Sequence, residues 1–250
     1  MTRLSVNLNK VALLRNQRDT GQPDLIENAR AVLEAGAQGL TAHPRPDERH
    51  IRKSDIPLIA GFLKGWKEKD IEFNIEGYPS EDFMRLVTHH ECDQVTLVPD
   101  DPNQKTSDHG WNIPAHELFL TDVIKRLRDA GRRVSLFIDP NPDMAKYAAD
   151  AGAHRVELYT GPFAFDPTTL PRYIETAKAA KAAGLDVNAG HDLNLDNIAR
   201  FISAIPDCAE VSIGHAITAD ALLMGWHGAV TAYLTAIQYG RKASAGKTNG

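Results

Sequence analysis

Cysteine is scarce in this sequence. The 250 residues include only Cys92 and Cys208, too far apart to form a zinc or redox motif, which excludes a disulfide framework and points to a reducing compartment. Long hydrophobic runs are missing as well: none approaches the roughly 20 residues that a membrane-spanning helix needs. There is no polybasic tract, and 28 Lys and Arg against 33 Asp and Glu leave a formal charge of −5. That balance argues against nucleic acid or an anionic membrane as a partner. Small anionic ligands stay open, because local arginines and backbone amides can hold them whatever the net charge. Met1-Thr2-Arg3 leads directly into Leu4-Ser5-Val6-Asn7, without the apolar core of a signal peptide. A soluble, cytoplasmic protein is expected, and 42% hydrophobic residues suffice for a large core.

Short apolar segments alternate with longer stretches of helical period. The candidate strands are Leu4–Asn9, Gly39–His43, Glu72–Glu76, Gln94–Pro99, Arg133–Asp139, Arg155–Thr160, Leu185–Ala189 and Glu210–Gly214, each of strand length and too short for a typical helix. Between them, Asp24–Leu33 places Leu25, Ala29, Val32 and Leu33 on one face, and Ser54 is a candidate cap with Pro57 in the first turn. Further helices are expected over Leu118–Leu127, Pro142–Ala149, Leu170–Ala183, Asn194–Ile205 and Ala219–Tyr239, and around Ser80, Phe83 and Leu86. Four of these segments end in Ala-Gly, at Gly36, Gly131, Gly152 and Gly184, where glycine supplies the left-handed residue that stops a helix. Eight β-α units in this length predict a single-domain (β/α)8 TIM barrel over residues 1–242, with a frayed tail at 243–250. An open doubly wound sheet is the weaker alternative, since no Gly-x-Gly-x-x-Gly follows the first strand. The long irregular stretch Pro99–Pro114 is of a length usually associated with function.

In such a barrel the catalytic groups come from the C-terminal ends of the strands. There the sequence places Asn7 and Asn9, His43 with Arg45, Glu76, Asp139, Glu157, His191 and His215. Two imidazoles and a glutamate facing one cavity suit chemistry with successive proton transfers. The same side chains could instead hold a metal, although Asn7-Leu8-Asn9 stands where metal-dependent barrel hydrolases carry His-x-His, and an amide is a poor transition-metal ligand. A third reading is a phosphometabolite-binding protein without catalysis. Arg15 and Arg18 after the first strand, and Arg45, Arg49 and His50 after the second, form one candidate anion arc. The Gly190-His191-Asp192 and Gly214-His215 turns form another.

Several blocks resemble one family. Val6-Asn7-Leu8-Asn9-Lys10-Val11 through Arg18 and Thr41-Ala42-His43-Pro44-Arg45 with Arg49-His50 are similar to the opening of pyridoxine 5′-phosphate synthases. So are Asn74-Ile75-Glu76, Leu97-Val98-Pro99, Val134–Asp139, Val156–Gly161, Val187-Asn188-Ala189-Gly190-His191 and Ile213-Gly214-His215-Ala216, in the family's order along the chain. The resemblance implies a cofactor-free, metal-free barrel enzyme of vitamin B6 biosynthesis that condenses 3-amino-2-oxopropyl phosphate with 1-deoxy-D-xylulose 5-phosphate. His43 and Glu76 would then accept protons, His191 would donate one, and Glu157 would stabilise charged intermediates. Asn7, Arg18, Asp192, Gly214 and His215 would hold the aminooxopropyl phosphate. Asn9, Lys10, Arg45, His50 and Thr106 would hold the deoxyxylulose phosphate, with the Thr106 loop closing over both.

Two departures stand out. Asn9-Lys10 replaces the Asp-His of many family members, and Asp192 stands where glycine is usual. The family also implies a homo-oligomer, an octameric ring. The apolar stripe Leu222, Leu223, Trp226, Val230, Tyr233, Leu234 and Ile237 could serve such an interface or simply cover the barrel.

Overall fold

The eight apolar segments do pair, in sequence order and all in parallel. The structure, a computed structural model, describes residues 1–100, 104 and 106–247. Its strands are β1 (Arg3–Asn7), β2 (Gly39–Ala42), β3 (Glu72–Gly77), β4 (Gln94–Leu97), β5 (Arg133–Ile138), β6 (Arg155–Tyr159), β7 (Asp186–Gly190) and β8 (Glu210–Ile213). Each pairs with its neighbours in the chain, and β8 returns to β1 with Val6 opposite Ile213, closing the barrel. The helices are α1 (Asn9–Arg15), α2 (Leu25–Glu34), α3 (Asp55–Leu63), α4 (Glu81–His89), α5 (Glu117–Asp129), α6 (Asp143–Asp150), α7 (Gly161–Phe165), α8 (Leu170–Ala182), α9 (Ile198–Ala204) and α10 (His215–Lys247). This is a (β/α)8 TIM barrel. None of the helices is long and apolar enough to cross a membrane, among the described residues.

Strand period divides the barrel into an oily outside and a polar inside. Leu4, Val6, Leu40, Ile75, Val95, Leu97, Val134, Leu136, Val156, Leu158, Ala189 and Val211 are fully buried and belong to the hydrophobic cluster shared with the helices. The alternate positions bond across the lumen. Ser5 Oγ lies 2.7 Å from Thr41 Oγ1, and Thr96 Oγ1 donates to Asn74 Oδ1 at 3.1 Å. Lower down, Arg155 reaches Gln94, Glu72 and Asn188. Hydrophobic stabilisation is thus concentrated in the annulus between strands and helices, and the axis is left to hydrogen-bonded polar groups that must satisfy one another.

All four Ala-Gly stops hold: Gly36, Gly131, Gly152 and Gly184 have φ of 105°, 76°, 90° and 81°. Asp24 and Ser80 cap α2 and α4, accepting from the Glu27 and Phe83 N–H groups. Ser54 stands before α3 but makes no side-chain cap bond; Asp55 Oδ2 instead accepts from the Arg52 N–H at 2.8 Å.

Three expected boundaries are corrected. The first strand ends at Asn7 rather than Asn9, because Asn7 Oδ1 accepts from the Asn9 N–H at 2.9 Å. That side-chain bond turns the chain directly into α1, whose period the sequence reading missed. The helix expected from Asn194 starts at Ile198, since Asn197 Oδ1 takes the Asn194 N–H and holds a turn first. The helix expected over Ala219–Tyr239 begins at His215, breaks at Gly225 (φ 71°, ψ 164°) and runs on to Lys247. Residues 248–250 of the expected tail lie outside the described residues.

Candidate active site

A cavity of about 480 Å³ opens at the C-terminal ends of the strands. Asn7, Asn9, Lys10, His43, Arg45, His50, Glu76, Thr106, Glu157, His191, Asp192, Gly214 and His215 all line it, so nearly every residue expected at the site converges there. Arg18 is the exception. It follows α1 on an exposed turn and does not reach the cavity. Arg15 is also absent from the lining, and its guanidinium forks onto Asp55 at 2.8 and 2.9 Å. Of the first candidate anion arc, Arg45, Arg49 and His50 line the cavity, and Lys10 lines it too. Leu13, Val98, Ser107, Phe137 and Ser212 complete the wall without having been singled out. Phe137 and Ser212 are in phase with the inward positions of β5 and β8, which is the signal that could have found them.

The floor is built by strand ends. Asn7 Nδ2 donates to Glu76 Oε2 at 3.2 Å, tying β1 to β3. Asn9 Oδ1 accepts from the His43 N–H at 2.9 Å, so this amide fixes the β2 end on which His43 sits. Glu157 rises from the middle of β6 and accepts from Thr96 Oγ1 at 3.3 Å. Its carboxylate lies against Gly190 on the neighbouring strand, where a Cβ would stand 2.3 Å from Oε1.

Burial controls the charges. Desolvation, then the fields of His50, Arg45 and Arg49, hold the His43 imidazole well below its ordinary value. His50 is lowered to about 4, by burial and then by Arg45, Lys10 and Arg49. Glu76 is pushed well above the usual carboxyl range by burial and by Glu157, Asp100 and Glu210, with the Asn7 hydrogen bond opposing. Burial raises Glu157 to about 7, against the Thr96 hydrogen bond and the nearby His191. His43 Nδ1 and Glu76 Oε2 are 3.9 Å apart, too far for a hydrogen bond. Burial favours the uncharged imidazole on His43 and the protonated carboxyl on Glu76. The pocket thus holds an imidazole with a lowered pKa beside two carboxyls raised by burial, Glu157 to about 7, a combination suited to general acid–base chemistry.

The rim is cationic on one side. Arg45, 2% exposed, is gripped by Asp100 at 2.6 Å and by the Gln104 carbonyl at 2.7 Å. Arg49 donates to the same carbonyl at 3.1 Å. The charge of Lys10 is felt by both His50 and Asp192, lowering each. On the other side α10 begins at His215 and presents the unpaired amides of its first turn.

Thr106 and Ser107, in the loop after β4, line this mouth. Ser107 Oγ donates to Asp100 Oδ2 at 2.8 Å, and Thr106 Oγ1 is 2.8 Å from His191 Nε2. The loop's far end is anchored by Trp111, whose Nε1 donates to the Leu97 carbonyl at 2.9 Å. Gly110 sits so close to the end of β5 that a Cβ would meet the Asp139 nitrogen at 2.2 Å.

His191 and Asp192 leave β7 in the left-handed region, with φ of 83° and 60°. That conformation costs L-residues roughly 1–2 kcal/mol each, and aspartate tolerates it better than most. The Asp192 carboxylate turns onto His191, with Oδ2 2.7 Å from Nδ1.

Among the described residues no group of three or more His, Cys, Asp or Glu side chains is placed to hold a metal ion.

A closed parallel barrel that gathers four imidazoles, the half-buried Glu76 and the buried Glu157 into one cavity at its strand ends has the make-up of a TIM-barrel enzyme. A family model described as "Pyridoxal phosphate biosynthesis protein PdxJ" matches residues 4–239. The chain belongs to that family of biosynthetic enzymes. A pyridoxine 5′-phosphate synthase from Mesorhizobium japonicum is 53% identical over 241 residues, covering 94% of this chain and 98% of the relative. Its counterpart from Allorhizobium ampelinum is 54% identical over 232 residues, covering 89% and 92%. Among solved structures, one titled "Native KDPGal structure" superposes with a TM-score of 0.62 at 16% identity, covering 96% of each chain. Phosphoribosyl anthranilate isomerase gives 0.59 at 13%, covering 95% of this chain and 99% of that one. These distant likenesses concern the fold alone.

Proposed function

We propose that this protein is a pyridoxine 5′-phosphate synthase: it condenses 3-amino-2-oxopropyl phosphate with 1-deoxy-D-xylulose 5-phosphate to pyridoxine 5′-phosphate, inorganic phosphate and water. The observation that carries the reading is the approach of His43 to Glu76, 3.9 Å apart in a cavity that Lys10, Arg45 and Arg49 also line, with burial favouring the uncharged form of each. Two phosphorylated substrates need two anion sites. Lys10, Arg45, Arg49 and His50 form one, and Gly214 with the first turn of α10 forms the other.

Amine attack on the ketone, loss of water to an imine, enolisation, phosphate elimination and ring closure each move a proton. Glu76, whose raised affinity for a proton suits a general acid, gives its proton to the departing hydroxyl, and as carboxylate it then accepts one. His43 accepts without first having to lose a proton. His191 donates from the opposite wall, and Glu157, poised near neutrality, balances the cationic imine. The loop carrying Thr106 keeps water from the imine. The reaction uses no cofactor and no metal, and its products go to the cytoplasm, where the enzyme works as a homo-oligomer.

The test is direct. Purified protein, both substrates and excess EDTA should yield pyridoxine 5′-phosphate by chromatography, with one equivalent of phosphate per turnover. Absence of product, or product only after a divalent ion is restored, overturns the reading.

A further inference from the structure

Asp192 is the one residue of the cavity wall that brings a carboxylate to a position where the family resemblance leads one to expect glycine. Its backbone is left-handed, φ 60°, a conformation that glycine adopts without strain. An aspartate there keeps the strain and adds a negative charge beside a site for anions. Its side chain makes one contact that could offset this: Oδ2 lies 2.7 Å from His191 Nδ1.

The chemistry of that contact has one direction. The Asp192 carboxyl is held below its ordinary value, first by the hydrogen bond to His191, so at neutral pH it is ionised and can only accept. Nδ1 must therefore carry the proton. The same ring is held on two other sides, by Thr106 Oγ1 at 2.8 Å from Nε2 and by an edge-on contact with Tyr159, ring centroids 5.3 Å apart at 77°. With Nδ1–H committed to Asp192, the neutral ring offers a lone pair on Nε2, which faces the Thr106 hydroxyl and the cavity. When the ring is protonated, Nε2–H is the proton that can be delivered. A carboxylate that fixes the tautomer and aim of an acid–base histidine is a recurrent device in unrelated enzymes.

We propose that Asp192 is a positioning residue for proton transfer at His191: it holds the Nδ1–H form of the ring with Nε2 facing the bound substrates, and does not itself bind phosphate. This rests on the proposed donor role of His191. It adds a carboxylate–imidazole pair that a chain with glycine at this position could not form.

The experiment uses the full-length protein labelled with ¹⁵N-histidine, with His191→Gln to assign the signal. Long-range ¹H–¹⁵N correlation above pH 8 should find His191 as the Nδ1–H tautomer in the wild type. Asp192→Asn, whose amide can donate to Nδ1, and Asp192→Gly, which fits the backbone, should both shift it toward Nε2–H. In the same variants kcat should fall by about tenfold or more, with KM for both substrates within about twofold and the melting temperature maintained. Asp192→Glu should recover part of the loss. Support requires the tautomer change and the kcat loss together. An Nε2–H ring in the wild type, a kcat loss without a tautomer change, or a tautomer change without a kcat loss each overturn the inference. Failure of the wild type to form product overturns the proposed function instead, and leaves the tautomer measurement to be read on its own.

Discussion

Gly190 and Glu157 compete for the same space: a methyl group on Gly190 would stand 2.3 Å from the carboxylate Oε1. The backbone at Gly190 is not left-handed, so alanine meets no conformational penalty there and the clash is with the side chain alone. Gly190→Ala should cost about 1–3 kcal/mol of stability, as overpacking generally does, and should lower kcat by moving Glu157. Urea denaturation and steady-state kinetics check both. In Gly190→Ala combined with Glu157→Ala the steric part should vanish, so the two stability effects should be clearly non-additive. Additive effects would mean that the strand, and not the carboxylate, feels the methyl group.

The pH dependence of stability follows from two opposed slopes. Folded Glu157 keeps its proton up to about 7, whereas an unfolded glutamate loses it near 4.5. Between those values the native state binds more protons, so this group's contribution falls as pH rises, by up to about 3 kcal/mol. His43 and His50 act the other way. Both are lowered in the fold, His50 to about 4, so the unfolded chain binds more protons below about 6.5 and stability falls as the solution is acidified. Glu157→Gln should remove this group's share of the first slope, leaving that of the raised Glu76 and Glu210, and should not touch the second. Chemical denaturation from pH 5 to 8 should find it more stable than wild type at pH 8, with the difference shrinking toward pH 5. An NMR titration should place His50 near pH 4; a midpoint near 6.5 would contradict its burial among arginines.

The barrel itself was open to reading from the chain. Period-2 apolar segments alternating with period-3.6 ones, punctuated by Ala-Gly stops, predict eight β-α units, and that alternation also places His43, Glu76, His191 and His215 on one rim. Other features depend on partners distant in sequence. Nothing local tells that Arg15 will fork onto Asp55, 40 residues on, while Arg45 faces the cavity. The turn at Asn7 was hidden because Leu4–Asn9 alternates like a strand until the Asn7 side chain captures the Asn9 amide. The break at Gly225 was hidden by an apolar pattern that continues through it. The polar lumen was legible in principle, since Asn74, Thr96, Ser135, Asn188 and Ser212 share the inward phase of their strands, but they were masked by the β-branched and apolar residues between them.

Arg45 and Asp100 form a buried pair, 2% and 5% exposed and 2.6 Å apart, that joins the cationic rim to the loop after β4. Removing one partner of such a pair leaves the other desolvated. Asp100→Ala should therefore destabilise the protein by about 3–5 kcal/mol, far more than loss of a surface ion pair. Because Ser107 Oγ also donates to Asp100, the loop should loosen and KM should rise for the substrate bound at the Arg45 side. Thermal melts and initial-rate kinetics provide the check. Near-wild-type stability would mean that the guanidinium is solvated in solution.

The last helix carries apolar surface that one chain does not cover. Val230, Tyr233 and Ile237 are buried against the barrel, whereas Leu222 and Leu223, just before the Gly225 break, are 75% and 88% exposed, and Met224 is 45% exposed. The stripe thus divides: its second half covers the barrel, and its first half presents consecutive apolar residues to solvent. Contiguous exposed apolar patches of this kind mark contact surfaces, and a second copy of the chain is the partner the family resemblance implies. Analytical ultracentrifugation should give a mass that is a multiple of 27.5 kDa. Leu223→Asp should lower it, with the melting temperature of the smaller species reduced because subunit contacts stabilise by mass action. The side chain touches neither the cavity nor the core, so a Leu223→Asp protein of unchanged mass would remove this face from the interface.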